Sequence, residues 1–138
     1  MIVDANVILR ALFPDESQPQ AQVLIRDHIA GRLLLSAPAL LNYELCNAIW
    51  MAERRNRLSR DQADQVIEAI EGLGIELHKQ SWGEMLPLAR LFQITAYDAA
   101  YLALAQATSQ RLITGDERLY NAVHPHLDWV VWIENYSG

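Results

Sequence analysis

Asp4, Glu44, Asp98 and Asp116 each interrupt or end a run of apolar residues. MIVD closes on Asp4, LLNYELCNAIW carries Glu44 inside an apolar helical stretch, AYDAAYLALA carries Asp98 in the same way, and RLITGD closes on Asp116. A carboxylate taken out of water without a partner costs several kcal/mol. The sequence offers these four no adjacent cation, because Lys79 is the sole lysine and the arginines concentrate at Arg54, Arg55, Arg57 and Arg60. Four converging carboxylates would repel one another and take up protons unless a cation sat among them. Hard oxygen ligands without Cys or His select Mg²⁺ or Mn²⁺ rather than zinc, so the pattern points to a divalent-metal site.

Each acid also has a plainer role open to it. Asp4 and Asp116 can cap the helices that follow them. Asp98 can close a capping box with Thr95, three residues earlier in T-x-x-D. Glu44 has fewer alternatives, since its helical neighbours Leu40, Leu41, Leu45 and Ala48 are apolar and only Asn47 offers a nearby polar side chain. A capping carboxylate keeps lone pairs free for an ion, so the two roles are compatible and the joint occurrence of all four acids carries the signal.

The elements that must position these residues follow from patterning. A chain of 138 residues, 51% hydrophobic and 20% charged, is expected to fold as one soluble globular domain over residues 1–138. The four acids account for much of the formal charge of -6. An acidic balance therefore does not exclude a phosphodiester substrate, but it argues against broad electrostatic wrapping of duplex DNA. The lone Cys46 lies in an apolar helical stretch and is expected to be a buried thiol, with no disulfide or cysteine metal site. Neither a secretory leader nor an apolar run near the roughly 20 residues needed to cross a bilayer is present, so a cytoplasmic protein without membrane contact is expected.

Met1–Asp4 reads as a strand, Ala5–Phe13 as a short helix ended by Pro14, and Pro19–Arg32 as a helix with Ala21, Leu24, Ile25, His28 and Ile29 at helical spacing. Leu33–Ser36 reads as the second strand. Pro38–Arg57 and the segment from Ser59 to the Gly72–Gly74 break form a helical hairpin. Ile75–His78, Arg111–Thr114 and Trp129–Ile133 read as strands, and Trp82–Phe92, Tyr97–Ala107 and Glu117–Val123 as helices. The order βαβααβααβαβ predicts a three-layer α/β fold with a mainly parallel five-stranded sheet. Ligands in such sheets bind beyond the carboxyl ends of the strands, where strand order reverses, and Asp4 and Asp116 both fall at such ends.

With those motifs in place, the chain resembles PIN-domain nucleases, specifically the VapC-type toxins of toxin–antitoxin pairs. MIVDANVIL resembles the family's opening strand, with its first acid at Asp4 and a polar companion at Asn6. NYELCNAI resembles the second acidic motif around Glu44, YDAAYLALA the third around Asp98, and TGDERL the fourth, with Thr114 as hydroxyl companion to Asp116. The resemblance runs over essentially the whole chain. It implies a PIN-like α/β/α fold and a metal-dependent endoribonuclease that cuts structured RNA such as transfer RNA, is held inactive by a cognate antitoxin, and is usually dimeric. In that reading Asp4, Asp98 and Asp116 hold one Mg²⁺ or Mn²⁺, Glu44 positions a second ion or the attacking water, and Asn6 and Thr114 orient these ligands from behind. Glu117 directly follows Asp116 and stands as an optional extra ligand.

Arg54, Arg55, Arg57 and Arg60 are candidate RNA-phosphate contacts, with solvated charge at a helix C-terminus as the plainer account. Tyr43, Trp50, Met51 and the apolar face of the helix before Gly72 exceed what a small core needs and offer a partner or dimer surface, or else simple packing. Trp129 and Trp132 read as packing, and His78, His124 and His126 carry no metal-ligand spacing. Haloacid-dehalogenase-type phosphotransferases are a poor match, because their D-x-D meets Asn6 in the third position here and Lys79 is the only lysine. Receiver domains need an acid ending a middle strand, which neither LLLS nor IELH supplies. A non-catalytic RNA-binding or regulatory module with a relict acidic site remains the non-enzymatic alternative.

Overall fold

Ile2 and Val3, both β-branched and fully buried, leave no polar face toward water, as a central parallel strand requires. In the computed structural model, which describes residues 1–138, they form β1 (Ile2–Val3) at the middle of a five-stranded sheet. The other strands are β2 (Ser36–Pro38), β3 (Glu76–His78), β4 (Leu112–Thr114) and β5 (Val130–Trp132), in the spatial order β3-β2-β1-β4-β5. Every pairing is parallel, with Ile2 opposite both Ser36 and Leu112, and Val3 opposite Ile113. Strand order therefore reverses between β1 and β4, the two strands that end in Asp4 and lead to Asp116.

The helices are α1 (Ala5–Leu12), α2 (Pro19–Ile29), α3 (Leu40–Arg54), α4 (Arg60–Leu73), α5 (Trp82–Phe92), α6 (Ala96–Thr108) and α7 (Glu117–Val123), with a final 3₁₀ turn at Ile133–Asn135. Helix α6 packs on β1, β2 and β4, and its residues Ala99 to Ala105 are all buried. Its small alanines let α5 and α6 lie close together, while Tyr101, Leu102, Leu104 and Ala105 join the core against the sheet. The main core joins these residues to Val7, Ile8, Leu24, Leu35, Leu41, Ile113 and Ile133. A second cluster, Phe13, Ile49, Ala52, Leu58, Ala63 and Val66, holds the α3–α4 hairpin against the end of α1. Ser59 starts α4 through a reciprocal capping box with Gln62, and Gly74 ends it at φ 62°, a left-handed conformation glycine adopts without a Cβ penalty. Buried His28 ties this hairpin to the sheet: one ring nitrogen accepts from the Leu35 amide at 3.2 Å and the other meets the Leu73 carbonyl at 2.7 Å.

Several expected boundaries move. The second strand lies at Ser36–Pro38 rather than Leu33–Ser36, because the ladder to β1 and β3 begins at Ser36, and Leu34 is exposed. Ile29, at helical spacing with Ile25 in the sequence, points to solvent at the end of α2. Cys46 is exposed rather than buried. Its helix is amphipathic despite the apolar run: Leu41, Leu45, Ile49 and Ala52 form the buried stripe, and Cys46, Tyr43 and Trp50 lie off it. Edge strand β3 is largely exposed, whereas β1, β2 and β4 are buried throughout. Trp129 and Trp132 pack half-buried against the core. No helix is long and apolar enough to cross a membrane.

Candidate active site

The chain leaves β1 at Asp4 and enters α1 one residue later. Asp4 is the N-cap of that helix: Oδ1 accepts from the Val7 amide at 3.2 Å, and Oδ2 accepts from the Thr114 hydroxyl. Only 4% of the residue remains exposed. Burial pushes its carboxyl up to about 7 from 3.8, the nearby charges of Asp116 and Glu44 push the same way, and the bonds from Thr114 and Val7 oppose the rise.

The parallel strand β4 ends at Thr114, and Gly115 turns the chain into α7. Asp116 caps α7, with Oδ1 accepting from the amides of Arg118 at 2.9 Å and Leu119 at 3.1 Å. Its own amide donates to the Thr114 hydroxyl at 3.0 Å. Thr114 thus accepts from the backbone of one acid and donates to the carboxylate of another, linking the ends of β1 and β4. Asn6 adds a second link, its Oδ1 accepting from the Gly115 amide at 3.0 Å.

Glu44 and Asp98 reach the same place from helices. Glu44, in the second turn of α3, accepts from the Tyr101 hydroxyl of α6 at 2.7 Å. Burial raises its carboxyl above the usual range, with the charge of Asp98 adding and the Tyr101 bond opposing. Asp98 lies in the first turn of α6, where its amide donates to Thr95 Oγ1 at 3.1 Å. The reciprocal half of a capping box is not made, and the Thr95 side chain is what steadies the Asp98 carboxylate. Burial raises it too, the Asp116 charge adding to the rise, while Thr95 and the Arg118 cation oppose it.

All four acids line one cavity of about 220 Å³ together with Asn6, Leu9, Tyr101 and Leu119. Asp98 and Asp116 also border an adjoining hollow beside Arg118, which gives the acidic cavity a second flank. None of the four forms an ion pair with a protein cation. No three acidic, histidine or cysteine side chains are spaced to hold a metal ion as they stand. Like charge accounts for the spacing, since unneutralised carboxylates favour separation and protonation over close approach.

Glu117 is exposed and lies outside the cavity lining. Among the arginines, Arg57 is committed to Asp15 at 2.9 Å and to Glu16 at 2.8 Å. Arg54 stacks on the Trp50 ring, while Arg55 and Arg60 are exposed without an acidic partner. Arg54 and Arg55 stand at the far end of α3, roughly 15 Å along the helix from Glu44 at 1.5 Å per residue, and Arg60 opens α4. Three contributors have no clear signal in the sequence. Tyr101 is visible one turn after Asp98 in YDAAY, but its reach to Glu44 needs the α3–α6 contact. Gly115 and Arg10 make contacts across more than a hundred residues, and nothing local marks them.

A parallel sheet gathering acids from two strand ends and two helices at its reversal point defines an α/β protein with an acidic site at the carboxyl edge. The PIN domain family matches residues 1–124. This chain belongs to that family. Ribonuclease VapC3 of Pyrobaculum aerophilum is 32% identical over 123 residues, covering 86% of this chain and 91% of that protein. Ribonuclease VapC9 of Mycobacterium tuberculosis is 27% identical over 127 residues, covering 86% and 87%. The crystal structure of PAE2754 from Pyrobaculum aerophilum shares the fold, with a TM-score of 0.71 over 96% of this chain and 90% of that one at 22% sequence identity.

Proposed function

We propose that this protein is an endoribonuclease of the VapC type, the toxin of a toxin–antitoxin pair, that hydrolyses RNA phosphodiesters with Mg²⁺ or Mn²⁺ held by Asp4, Glu44, Asp98 and Asp116. The observation that carries the proposal is the convergence of four carboxylates, brought together from residues 4, 44, 98 and 116, on one cavity without a protein cation to neutralise them. Ribonuclease relatives at this similarity support RNA as the substrate class.

The donor set fits the ion. It is all oxygen, three of its members hold protons more tightly than free carboxylates do, and none is consumed by an ion pair. A bound divalent ion supplies a nucleophilic water at neutral pH and charge stabilisation for the phosphorane-like transition state. The chain's own residues do the positioning. Thr114 and Val7 fix both oxygens of Asp4, the start of α7 fixes Asp116 through one oxygen, and Tyr101 fixes Glu44. Each retains lone pairs directed at the cavity. The exposed Arg55 and Arg60 supply phosphate contacts that position RNA without reading its sequence.

A cognate antitoxin and a second copy of the chain are the proposed protein partners. Tyr43 and Trp50 on α3, Trp82 and Leu86 on α5, and Tyr97 on α6 are large exposed apolar side chains available to them. The spacing of the acids, no three of which are placed to hold an ion as they stand, is the observation that favours the alternative, a non-catalytic RNA-binding module. Incubating the protein with total cellular RNA in Mg²⁺, in Mn²⁺ and in EDTA, beside an Asp4→Asn, Asp98→Asn double variant, separates the two readings. Discrete products that require both metal and the acids are expected; binding without metal-dependent products establishes the alternative.

A further inference from the structure

The loop that delivers Asp116 is gripped by one face of α1. Asn6 and Arg10 are four residues apart on that helix and so project on the same side. Asn6 Oδ1 accepts from the Gly115 amide at 3.0 Å, and one Arg10 terminal nitrogen donates to the Gly115 carbonyl at 2.7 Å. Both backbone polar groups of the residue before Asp116 are therefore held by the helix that Asp4 begins. The guanidinium is itself fixed, donating to Gln18 Oε1 at 3.1 Å and lying over the Trp132 ring of β5 at 5.7 Å. It forms no ion pair. The grip is tight: a Cβ on Gly115 would stand 2.6 Å from Asn6 Oδ1 and 3.1 Å from the Arg10 guanidinium. No side chain fits without moving one jaw of the clamp.

We propose that Arg10 is a positioning residue of the site, which with Asn6 clamps the Gly115 backbone and so sets the separation of Asp116 from Asp4. The inference rests on the metal-site reading above and deepens it. Asp4 and Asp116 sit on adjacent strand ends whose only side-chain link besides this clamp is Thr114. Like-charged carboxylates push the two ends apart, and a clamp built of neutral acceptors and a locked cation resists that push without competing for the carboxylate oxygens. Groups behind metal ligands commonly set affinity by about tenfold or more.

The test uses Arg10→Met, which keeps the apolar stem over Trp132 and loses every donor, and Arg10→Lys, which keeps one donor toward the Gly115 carbonyl. Mn²⁺ affinity is read from the electron paramagnetic resonance signal of the free aqua ion, with RNA absent. KM and kcat are read on an RNA fragment mapped from wild-type cleavage. Arg10→Met is expected to weaken Mn²⁺ binding about tenfold and lower kcat while leaving the RNA KM in place, with Arg10→Lys recovering most of the loss. Gly115→Ala, which pushes on the same clamp from the loop, is expected to weaken Mn²⁺ binding likewise and serves if Arg10→Met does not fold. Unchanged Mn²⁺ affinity in Arg10→Met overturns the proposal, as does a rise in KM alone, which would make Arg10 an RNA contact, or an Arg10→Lys variant as weak as Arg10→Met. Asp4→Asn separates the two levels. If wild type binds no Mn²⁺, the metal-site reading falls and takes this inference with it; if Asp4→Asn abolishes binding while Arg10→Met does not alter it, only the clamp falls.

Discussion

Asp4→Asn should destroy turnover and at the same time make the metal-free protein more stable at alkaline pH. In the folded chain the Asp4 carboxyl is raised from 3.8 to about 7, chiefly by burial. The folded state therefore binds more protons than the unfolded state between about pH 4 and pH 7, and stability falls as pH rises through that window. At about 1.4 kcal/mol per factor of ten, the ionisation penalty is about 1.5 kcal/mol at pH 5 and about 4 kcal/mol at pH 8. Asn has the same shape and cannot ionise, and it is among the best helix caps, so the bond from the Val7 amide is retained. It offers one acceptor oxygen where Asp4 uses two, so one hydrogen bond weakens at a cost of about 1 kcal/mol. The net gain is about 3 kcal/mol at pH 8, or roughly 10 °C in melting temperature, and near zero at pH 5. Thermal melts in EDTA at pH 5 and pH 8 read it directly. Mn²⁺ added at pH 8 should raise the wild-type melting temperature far more than that of the variant, because the ion relieves the same penalty. A variant no more stable than wild type at pH 8, or a difference that does not change with pH, refutes the argument that Asp4 is a strained, uncompensated charge.

Two further outcomes follow from the same geometry. Tyr101→Phe removes the donor that holds Glu44 down against burial, so the acid limb of the pH–rate profile should move to higher pH, with a stability loss of about 1 kcal/mol by denaturant titration. An unmoved acid limb would place Glu44 outside the rate-limiting step. Replacing Arg55 and Arg60 together by Ala should lower the slope of log binding constant against log salt by about 1.4 on single-stranded RNA, whereas Arg57→Ala should leave it unchanged because that guanidinium is spent on Asp15 and Glu16. Equal slopes for all three proteins would assign the arginines to solvated surface charge.

The alternation of strands and helices is legible in the sequence because parallel strands buried on both faces read as short apolar runs. Helices α5 and α7 fall where the sequence places them, at Trp82–Phe92 and Glu117–Val123. The second strand is displaced from its expected place because LLLS and SAP overlap and neither carries a charge to exclude it, and only pairing with Ile2 and with Glu76–His78 chooses between them. Cys46 departs from expectation for a related reason. Composition marks α3 as apolar, but which residues are covered depends on where its stripe meets the sheet and α4, and that stripe runs through Leu41, Leu45 and Ile49. The acids are legible because desolvating a carboxylate is costly enough to make each one conspicuous in an apolar run. Arg10 is not, because an arginine in the last turn of a helix is ordinary, and its function lies in a carbonyl 105 residues away.

The plainer roles weighed for the four acids turn out to be part of how the site is built. Asp4 and Asp116 do cap α1 and α7, and the caps are what aim their carboxylates. A helix N-terminus carries a partial positive charge that steadies a carboxylate without neutralising it, so a cap fixes position while leaving the oxygens unsatisfied toward the cavity. Glu44 and Asp98 cap no helix and are brought in by helix packing, with the Tyr101 hydroxyl on Glu44 and the Thr95 side chain beside the Asp98 carboxylate. The two strand-end acids are therefore rigid and the two helix acids are the adjustable pair. On binding a divalent ion, Glu44 and Asp98 should move more than Asp4 and Asp116, because only their side chains can turn without breaking a backbone cap. Nuclear magnetic resonance shifts on titration with diamagnetic Mg²⁺ would show it as larger changes at the Glu44 and Asp98 carboxyl carbons than at the amides of Val7, Arg118 and Leu119, and the reverse pattern would mean that the helix starts themselves open to admit the ion.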